Sequence, residues 1–416
     1  MLTLQSVIGL LILPSLAWAI SEDRKKARPR IAAVGVVSQL VVALILLKVP
    51  LFNKLFLMLN SVALALEEST RAGTSLVFGY LGGGGLPFDE KSPGASFILG
   101  FEALPLILVV SAISALLFYW GVLPVIVKAF SYVLQKTMGL GGAAGLGAAA
   151  NIFVGMVEAP LLVKPYIKDM TRSELFLIMT CGMATIAGTM MVLYASIIEK
   201  VIPDAMGHLL TASMISAPAA ITIAGLMVPE TQKPTAGEMA PPQRYKSSMD
   251  AIAKGALDGV GLLINIIVML IVLVALAHLA NQLLGLLPHV AGGPVTLESL
   301  LGYIMAPVAW LMGIPWTETA TAGSLLGVKT VLNEFIAYQQ LVELPPEALS
   351  ARSDLIMTYA LCGFANFGSL GIMIGGLGAM APERRDEIVG LGLKTIVSGT
   401  LATCMTGAVV GIVGAI

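Results

Sequence analysis

Charge is what this 416-residue chain has least of. Lys, Arg, Asp and Glu together make up 12% of it and the net charge is −1, whereas a soluble domain carries about 25% charged residues. So little charge excludes an ordinary solvated surface. A balance so close to zero leaves no bulk electrostatic case for nucleic acid. Cysteine is scarce as well. Cys181, Cys362 and Cys404 are the only three, all in apolar segments and at no metal or redox spacing, so each reads as a small apolar residue. The three histidines, His208, His278 and His289, form no His-x-x-x-His pair. No Gly-x-Ser-x-Gly, no His-Glu-x-x-His and no paired aspartates occur in the apolar runs, which leaves an intramembrane hydrolase without a nucleophile and base. What is there is 57% hydrophobic residues and a mean hydropathy of +0.91. That composition is an all-α polytopic membrane protein and not an enzyme.

Residues 2–20 are apolar, and Arg24, Lys25, Lys26, Arg28 and Arg30 follow them. Signal peptides carry their positive charge first, so this run reads as a retained first span with its N-terminus outside. Residues 31–49 read as the second span, 50–66 as an interfacial amphipathic helix, and 81–95 as a surface loop. The third span lies within 97–130, a broken fourth in 175–198, the fifth in 205–228, and a long sixth in 259–284 after an amphipathic lead-in at 250–258. A broken seventh occupies 355–380 and the last 388–416. The basic clusters at 24–30, 164–172, 233–254 (Lys233, Arg244, Lys246) and 384–385 then all fall on one side, the inside.

Two carboxylates sit in apolar surroundings, where they are costly and usually functional. Glu158 lies in Asn151-Ile-Phe-Val-Gly-Met-Val-Glu-Ala-Pro160, after a small-residue run and beside helix-breaking Gly155 and Pro160. The pattern predicts a re-entrant hairpin at 135–165 with its tip near 154–160; a bare clasp closing the turn is the alternative. Glu334, in Asn333-Glu334-Phe335, repeats the logic in a second hairpin at 297–340. Each is followed by an interrupted apolar segment: Ala184 to Thr189, then Phe364 to Ser369. Hairpin, broken helix and closing helix thus occur twice, the footprint of a repeat-built transporter whose site lies where the broken elements meet. The basic side places the two hairpins on opposite faces, so the repeats are inverted.

These motifs, with Cys362-Gly-Phe364-Ala-Asn366, resemble the concentrative nucleoside transporter family over nearly the whole chain. The resemblance implies eight transmembrane helices, two re-entrant hairpins and a homotrimer in the bacterial cytoplasmic membrane, among its lipids. It also implies a transport domain (135–228 and 297–416) moving against a scaffold (1–134 and 256–296), with 229–255 as a cytoplasmic linker. Carried over by position, Glu334, Asn366 and Ser369 face the ribose. A carboxylate, an amide and a hydroxyl suit vicinal hydroxyls that both donate and accept. Phe364 supplies an apolar face or ordinary packing. Met156, Val157 and Glu158 line the base side, and Met190 is a further substrate-binding residue. Pyrimidine-selecting relatives have a polar pair such as Gln-Thr where this chain has Met156-Val157, so the expected range is broader or shifted toward purines. The coupling ion implied is sodium, held by Asn151, Thr185 and the carbonyls of Val154 and Ile186; Thr185 bonding back within its own helix is the plain alternative. Proton coupling through Glu158 or Glu334, and a related hairpin-fold sensor or gate that transports nothing, stay open beside the sodium-driven nucleoside symporter.

Overall fold

The computed structural model describes residues 2–89, 96–237, 245–288 and 295–414, and every regular element among them is helical. α1 (Leu2–Ala19) and α2 (Pro29–Lys48) are joined by the basic turn, and Pro29 at the first helical position starts α2. α3 (Pro50–Phe78) runs 12 residues beyond the interfacial helix expected from the sequence, carrying Glu67 and Glu68 inside it. The spacing of Glu67 and Arg71 suits a continuing helix. The third apolar stretch is three pieces: α4 (Leu99–Glu102), α5 (Leu106–Tyr119) and α6 (Val122–Met138). Gly121, at φ 80°, makes the left-handed corner between the last two. His289 and Arg244 fall outside the described residues.

Next come α7 (Gly142–Ala150), a turn, then the single-turn α8 (Glu158–Leu161) and α9 (Lys164–Ile167). α10 (Arg172–Ala184) starts at a Thr171–Glu174 capping box. It breaks at 185–187 and resumes as α11 (Gly188–Ile198), before α12 (Ala205–Met227). α13 (Ser248–Leu284) is one uninterrupted helix of 37 residues that absorbs the expected lead-in. α14 (Leu297–Leu311) packs tightly on α15 (Thr319–Val331), with the backbone of α14 against Gly323. α16 (Glu334–Glu343), α17 (Ala351–Leu361), a break at 362–366, α18 (Phe367–Met380) and α19 (Arg385–Val413) complete the chain. In chain order, α15–turn–α16–α17–break–α18–α19 repeats α7–turn–α8/α9–α10–break–α11–α12.

Seven segments among the described residues are long and apolar enough to cross a bilayer. The further span expected at 355–380 is two helices of 11 and 14 residues, each too short alone. Of the apolar window over α10–α11, 89% is buried, against 7% for α13. The centre is therefore α10, α11, α12 and α19, while α13 is peripheral. Small polar pairs bridge the central helices: Thr180–Ser398 at 2.8 Å and Ser216–Thr406 at 2.9 Å. Lys329 on α15 is fully buried and donates to Ala360 O at 2.8 Å and Thr403 Oγ1 at 3.0 Å, tying α15 to α17 and α19.

Two sets of contacts define the ends of the bundle. At one end Arg172 grips Glu22 at 2.9 Å and Glu387 at 3.3 Å, and Lys394 also reaches Glu22. There Arg384 donates to the carbonyls of Ile167, Lys168 and Met170, and Thr235 of the linker donates to Glu174. At the other, Gln5 donates to Ile314 O, Ser6 to Met312 O, Ser350 to Glu318 and Arg352 to Gly411 O. The α9–α10 turn beside the first acidic segment is at the first end; the starts of α15 and α17, beside the second, are at the other.

Candidate binding site

The two helix breaks and the two acidic turns converge on one cavity of about 110 Å³. All eight side chains expected on the solute side line it: Met156, Val157, Glu158, Met190, Glu334, Phe364, Asn366 and Ser369. The cap chemistry explains the polar end. Asn333 is the N-cap of α16, its Oδ1 accepting from Ile336 N at 2.9 Å, which starts the helix on Glu334. Asn366 is the N-cap of α18, its Oδ1 accepting from Ser369 N at 2.7 Å. With that oxygen committed, its Nδ2 points the other way and donates to Glu334 Oε2 at 2.8 Å. Tyr194 donates its hydroxyl to Glu334 Oε1. A buried carboxylate, 4% exposed, is thus held by one donor on each oxygen, leaving further lone pairs to accept from a bound hydroxyl.

The opposite side of the cavity is apolar, with Met156, Met190 and Phe364 all largely buried. Val157 is wedged: a Cβ at Gly376 would come within 2.8 Å of both its methyls, so they rest on the α18 backbone. Glu158 lies at the cavity wall with its carboxylate folded over Gly155.

Beside the cavity lies a cluster of uncommitted oxygens. Thr185 Oγ1 contacts Asn151 O at 2.6 Å and Cys181 O at 2.9 Å, and Gly188 N donates to Phe153 O at 3.0 Å. These bonds stitch the 151–157 turn to the 185–187 break. The back-bond to Cys181 is the plain role foreseen for Thr185; the bond to Asn151 O is additional. Asn151 is fully buried; its Nδ2 donates to Gly147 O at 2.9 Å, but its Oδ1 is buried with no donor. Among the described residues the carbonyls of Val154 and Ile186 accept no hydrogen bond either. Both lie in the stitched segments, where the regular helical ladder is interrupted. An orphaned amide oxygen, two free carbonyls and a hydroxyl fit a hard monovalent cation. No three of His, Cys, Asp or Glu come together among the described residues.

Comparison with known proteins follows the same lines. Three family models match in sequence: Na+ dependent nucleoside transporter N-terminus over residues 8–81, Nucleoside recognition over 101–201, and Na+ dependent nucleoside transporter C-terminus over 208–411. An uncharacterized transporter of Haemophilus influenzae is 37% identical over 99% of this chain and 98% of its own. Nucleoside permease NupC of Helicobacter pylori is 34% identical over 99% and 97%. The chain belongs to the concentrative nucleoside transporter family. Its fold is similar to CNTnw in an inward-facing substrate-bound state, with TM-score 0.90 and 35% identity over 100% of this chain and 98% of that one. It is also similar to an outward-facing form of CNTnw carrying two substitutions, with TM-score 0.89 and 34% identity over the same shares. The family is one of transporters and not of enzymes, and the chain is an integral membrane protein.

In this concentrative nucleoside transporter the cavity also has walls that the motifs did not announce. Tyr194 is the most consequential. Ala187, the N-cap of α11, and Met190 and Tyr194 within it recur at i, i+3 and i+7, one face of one helix, so the face of Met190 extended by one turn finds it. Leu262 and Ile266 reach in from α13, from a stretch between Asp258 and His278 that is almost wholly apolar and so marks no inner face.

Proposed function

We propose that this concentrative nucleoside transporter is a sodium-driven symporter that imports nucleosides across the bacterial cytoplasmic membrane by alternating access. On this reading the α7–α9 and α15–α16 units are re-entrant hairpins, entering from opposite faces as inverted repeats within an eight-span fold. Residues 135–228 and 297–416 form the moving transport domain; residues 1–134 and 256–296 are the scaffold and 229–255 the linker. The basic end, with Arg172 and Arg384, faces the cytoplasm. Glu334, Asn366 and Ser369 take the ribose hydroxyls. Met156, Val157 and Met190 border the base, Glu158 reaches it directly or through water, and Phe364 closes the apolar face. Asn151, Val154, Thr185 and Ile186 hold the sodium ion. The outward face of α13, with exposed Ile264, Val268, Ile271 and Leu279, is the surface on which three copies meet.

One observation carries this reading: the orphaned Oδ1 of Asn151 and the free carbonyls share the turn and the break that build the solute cavity. Concentrating a neutral solute needs an external gradient, and a cation bound beside the solute supplies one. The experiment is accumulation of labelled adenosine and uridine into proteoliposomes with an inward sodium gradient, with choline in its place, and with a pH gradient alone. Accumulation driven by sodium is expected. Equal uptake in choline with a response to the pH gradient would assign proton coupling, and no accumulation under any gradient would favour a sensor or gate.

A further inference from the structure

A second cavity, larger than the first at about 450 Å³, opens at the basic end, between the α1–α2 turn, the start of α7, α10, α12 and residues 229–234. Four cations line it: Lys26, Arg28, Arg30 and Lys136. Its two carboxylates are already engaged by protein donors. Glu174 accepts from Thr171 N at 3.1 Å, Thr235 N at 2.9 Å and Thr235 Oγ1 at 2.7 Å. Glu230 accepts from Thr171 Oγ1 at 2.5 Å and from the backbone N–H groups of Thr231 and Gln232, each at 2.9 Å. These acids close turns and do not pair with the cations. Among the described residues, only Lys26 of the four has a carboxylate partner, exposed Asp23 at 3.5 Å. Lys136 lies 5.8 Å from the centre of the Tyr132 ring. The side chains of Arg28 and Arg30 make no hydrogen bond or ion pair among the described residues, while the Arg28 carbonyl accepts from Ile31 N at 3.0 Å.

The remaining wall is part polar, with Thr137, Ser173, Thr231 and Gln232, and part apolar, with Ile31, Val34, Leu177 and Ile221. An anion alone would satisfy the cations and leave the apolar part wet. A phosphodiester carrying acyl chains satisfies both at once, and a basic pocket between membrane helices at the level of the headgroups is where such a group sits. We propose that this cavity binds an anionic phospholipid, its phosphate between Arg28, Arg30 and Lys136 and its glycerol and acyl portion along Ile31 and Leu177. The lipid then bridges α2 and α6 to the base of α7, the start of α10 and the linker, so its occupancy acts on the relative position of those elements. The assignment needs only that the chain lies in a membrane; it is independent of which solute or ion is carried.

The test measures lipid retention and not uptake. The full chain, purified in detergent, is titrated with cardiolipin, phosphatidylglycerol and phosphatidylethanolamine, and retained lipid is read by native mass spectrometry. Inorganic phosphate is titrated separately by thermal shift. Retention of the two anionic lipids over the zwitterionic one is expected. Each cation removed should weaken it roughly fivefold, so the triple variant Arg28→Gln, Arg30→Gln, Lys136→Gln should lose roughly a hundredfold. The charge-keeping variant Arg28→Lys, Arg30→Lys, Lys136→Arg should retain lipid, and it answers for the site should the Gln variant fail to fold. Equal retention of all three lipids, anionic retention untouched in a folded Gln variant, or stabilisation by inorganic phosphate equal to that by lipid would each overturn the assignment.

Discussion

Glu334→Gln tests the polar end of the cavity with little disturbance to its frame. Glutamine keeps the shape, and its amide can orient so that Oε1 still accepts from Asn366 Nδ2 while Nε2 faces the Tyr194 oxygen. The two protein contacts of the carboxylate therefore survive. What is lost is acceptor capacity. A carboxylate offers about four lone-pair sites, two of them used here, so two remain for a pair of ribose hydroxyls. The amide leaves one and removes the charge. A hydrogen bond to a charged group is worth about 1.5–3 kcal/mol, so nucleoside affinity should fall about tenfold to 150-fold and uptake should collapse at low substrate. Direct binding of adenosine and of its 2′,3′-dideoxy analogue, to both proteins, closes the cycle. The penalty should be large for adenosine and nearly vanish for the analogue, which has no hydroxyls to lose. An equal penalty on both, or uptake near wild type, would show that Glu334 does not read the ribose.

Asn366→Ala should abolish uptake and also lower the thermal midpoint, since losing a helix cap costs about 0.5–2 kcal/mol; Asn366→Ser, which caps α18 but falls short of Glu334, should recover the midpoint and not the uptake. Wild-type uptake in either variant would remove Asn366 from the site. The Arg172 guanidinium beside Glu22 holds that carboxyl at about 2, below the usual 4.5, so the pair's stabilisation is complete above pH 4.5 and is lost as pH falls toward 2. Thermal midpoints of wild type and Arg172→Gln should converge over that range, and a constant gap down to pH 2 would refute the attribution. Met156→Gln should shift competition toward uridine by roughly two- to twelvefold, the worth of one net hydrogen bond, whereas Val157→Thr should do little because its branches rest on Gly376. An unchanged ranking of uridine, cytidine, adenosine and inosine in Met156→Gln would mean that position 156 does not face the base.

Much of this arrangement was legible in the sequence because membrane burial makes certain residues conspicuous. An Asn before an acidic residue in an apolar run, or small polar residues interrupting a span, has few structural uses there, and Asn333 and Asn366 are N-caps at the cavity. The breaks at 185–187 and 362–366 fall where the interruptions stood. What failed did so where composition carries no signal. The third span lies within 97–130 as expected, at Leu99–Tyr119, but the corner at Gly121 that begins α6 was not foreseen, because one glycine among apolar residues does not reveal its φ. α3 outruns its apolar segment because charged residues at helical spacing continue a helix as readily as they end one. Tyr194 was passed over because a tyrosine in a span ordinarily packs with its hydroxyl satisfied, and only the fold brings Glu334 opposite it.

On the proposed function, ion and solute are coupled through very few residues. The break gives Thr185 and Ile186 to the oxygens and Ala187 to the cavity, while the turn gives Asn151 and Val154 to the oxygens and Met156 to Glu158 to the cavity. Two hydrogen bonds hold turn and break together, Thr185 Oγ1 to Asn151 O and Gly188 N to Phe153 O. A cation that draws those four oxygens together fixes the turn against the break and so preforms the solute walls. Coupling of this kind is reciprocal, and typical values of about 1–3 kcal/mol correspond to roughly 5–150-fold. Sodium should therefore tighten nucleoside binding by the same factor by which nucleoside tightens sodium binding. Thr185→Val keeps the volume but removes one ligand and one stitch, so it should weaken sodium and shrink the shared factor, with nucleoside affinity without sodium close to wild type and affinity at saturating sodium lower by the factor lost. Two titrations measure it: labelled nucleoside binding at low and high sodium, and sodium-induced fluorescence change at low and high nucleoside. Nucleoside affinity indifferent to sodium in the wild type, or a full coupling factor surviving in Thr185→Val, would separate the oxygens from the cavity they adjoin.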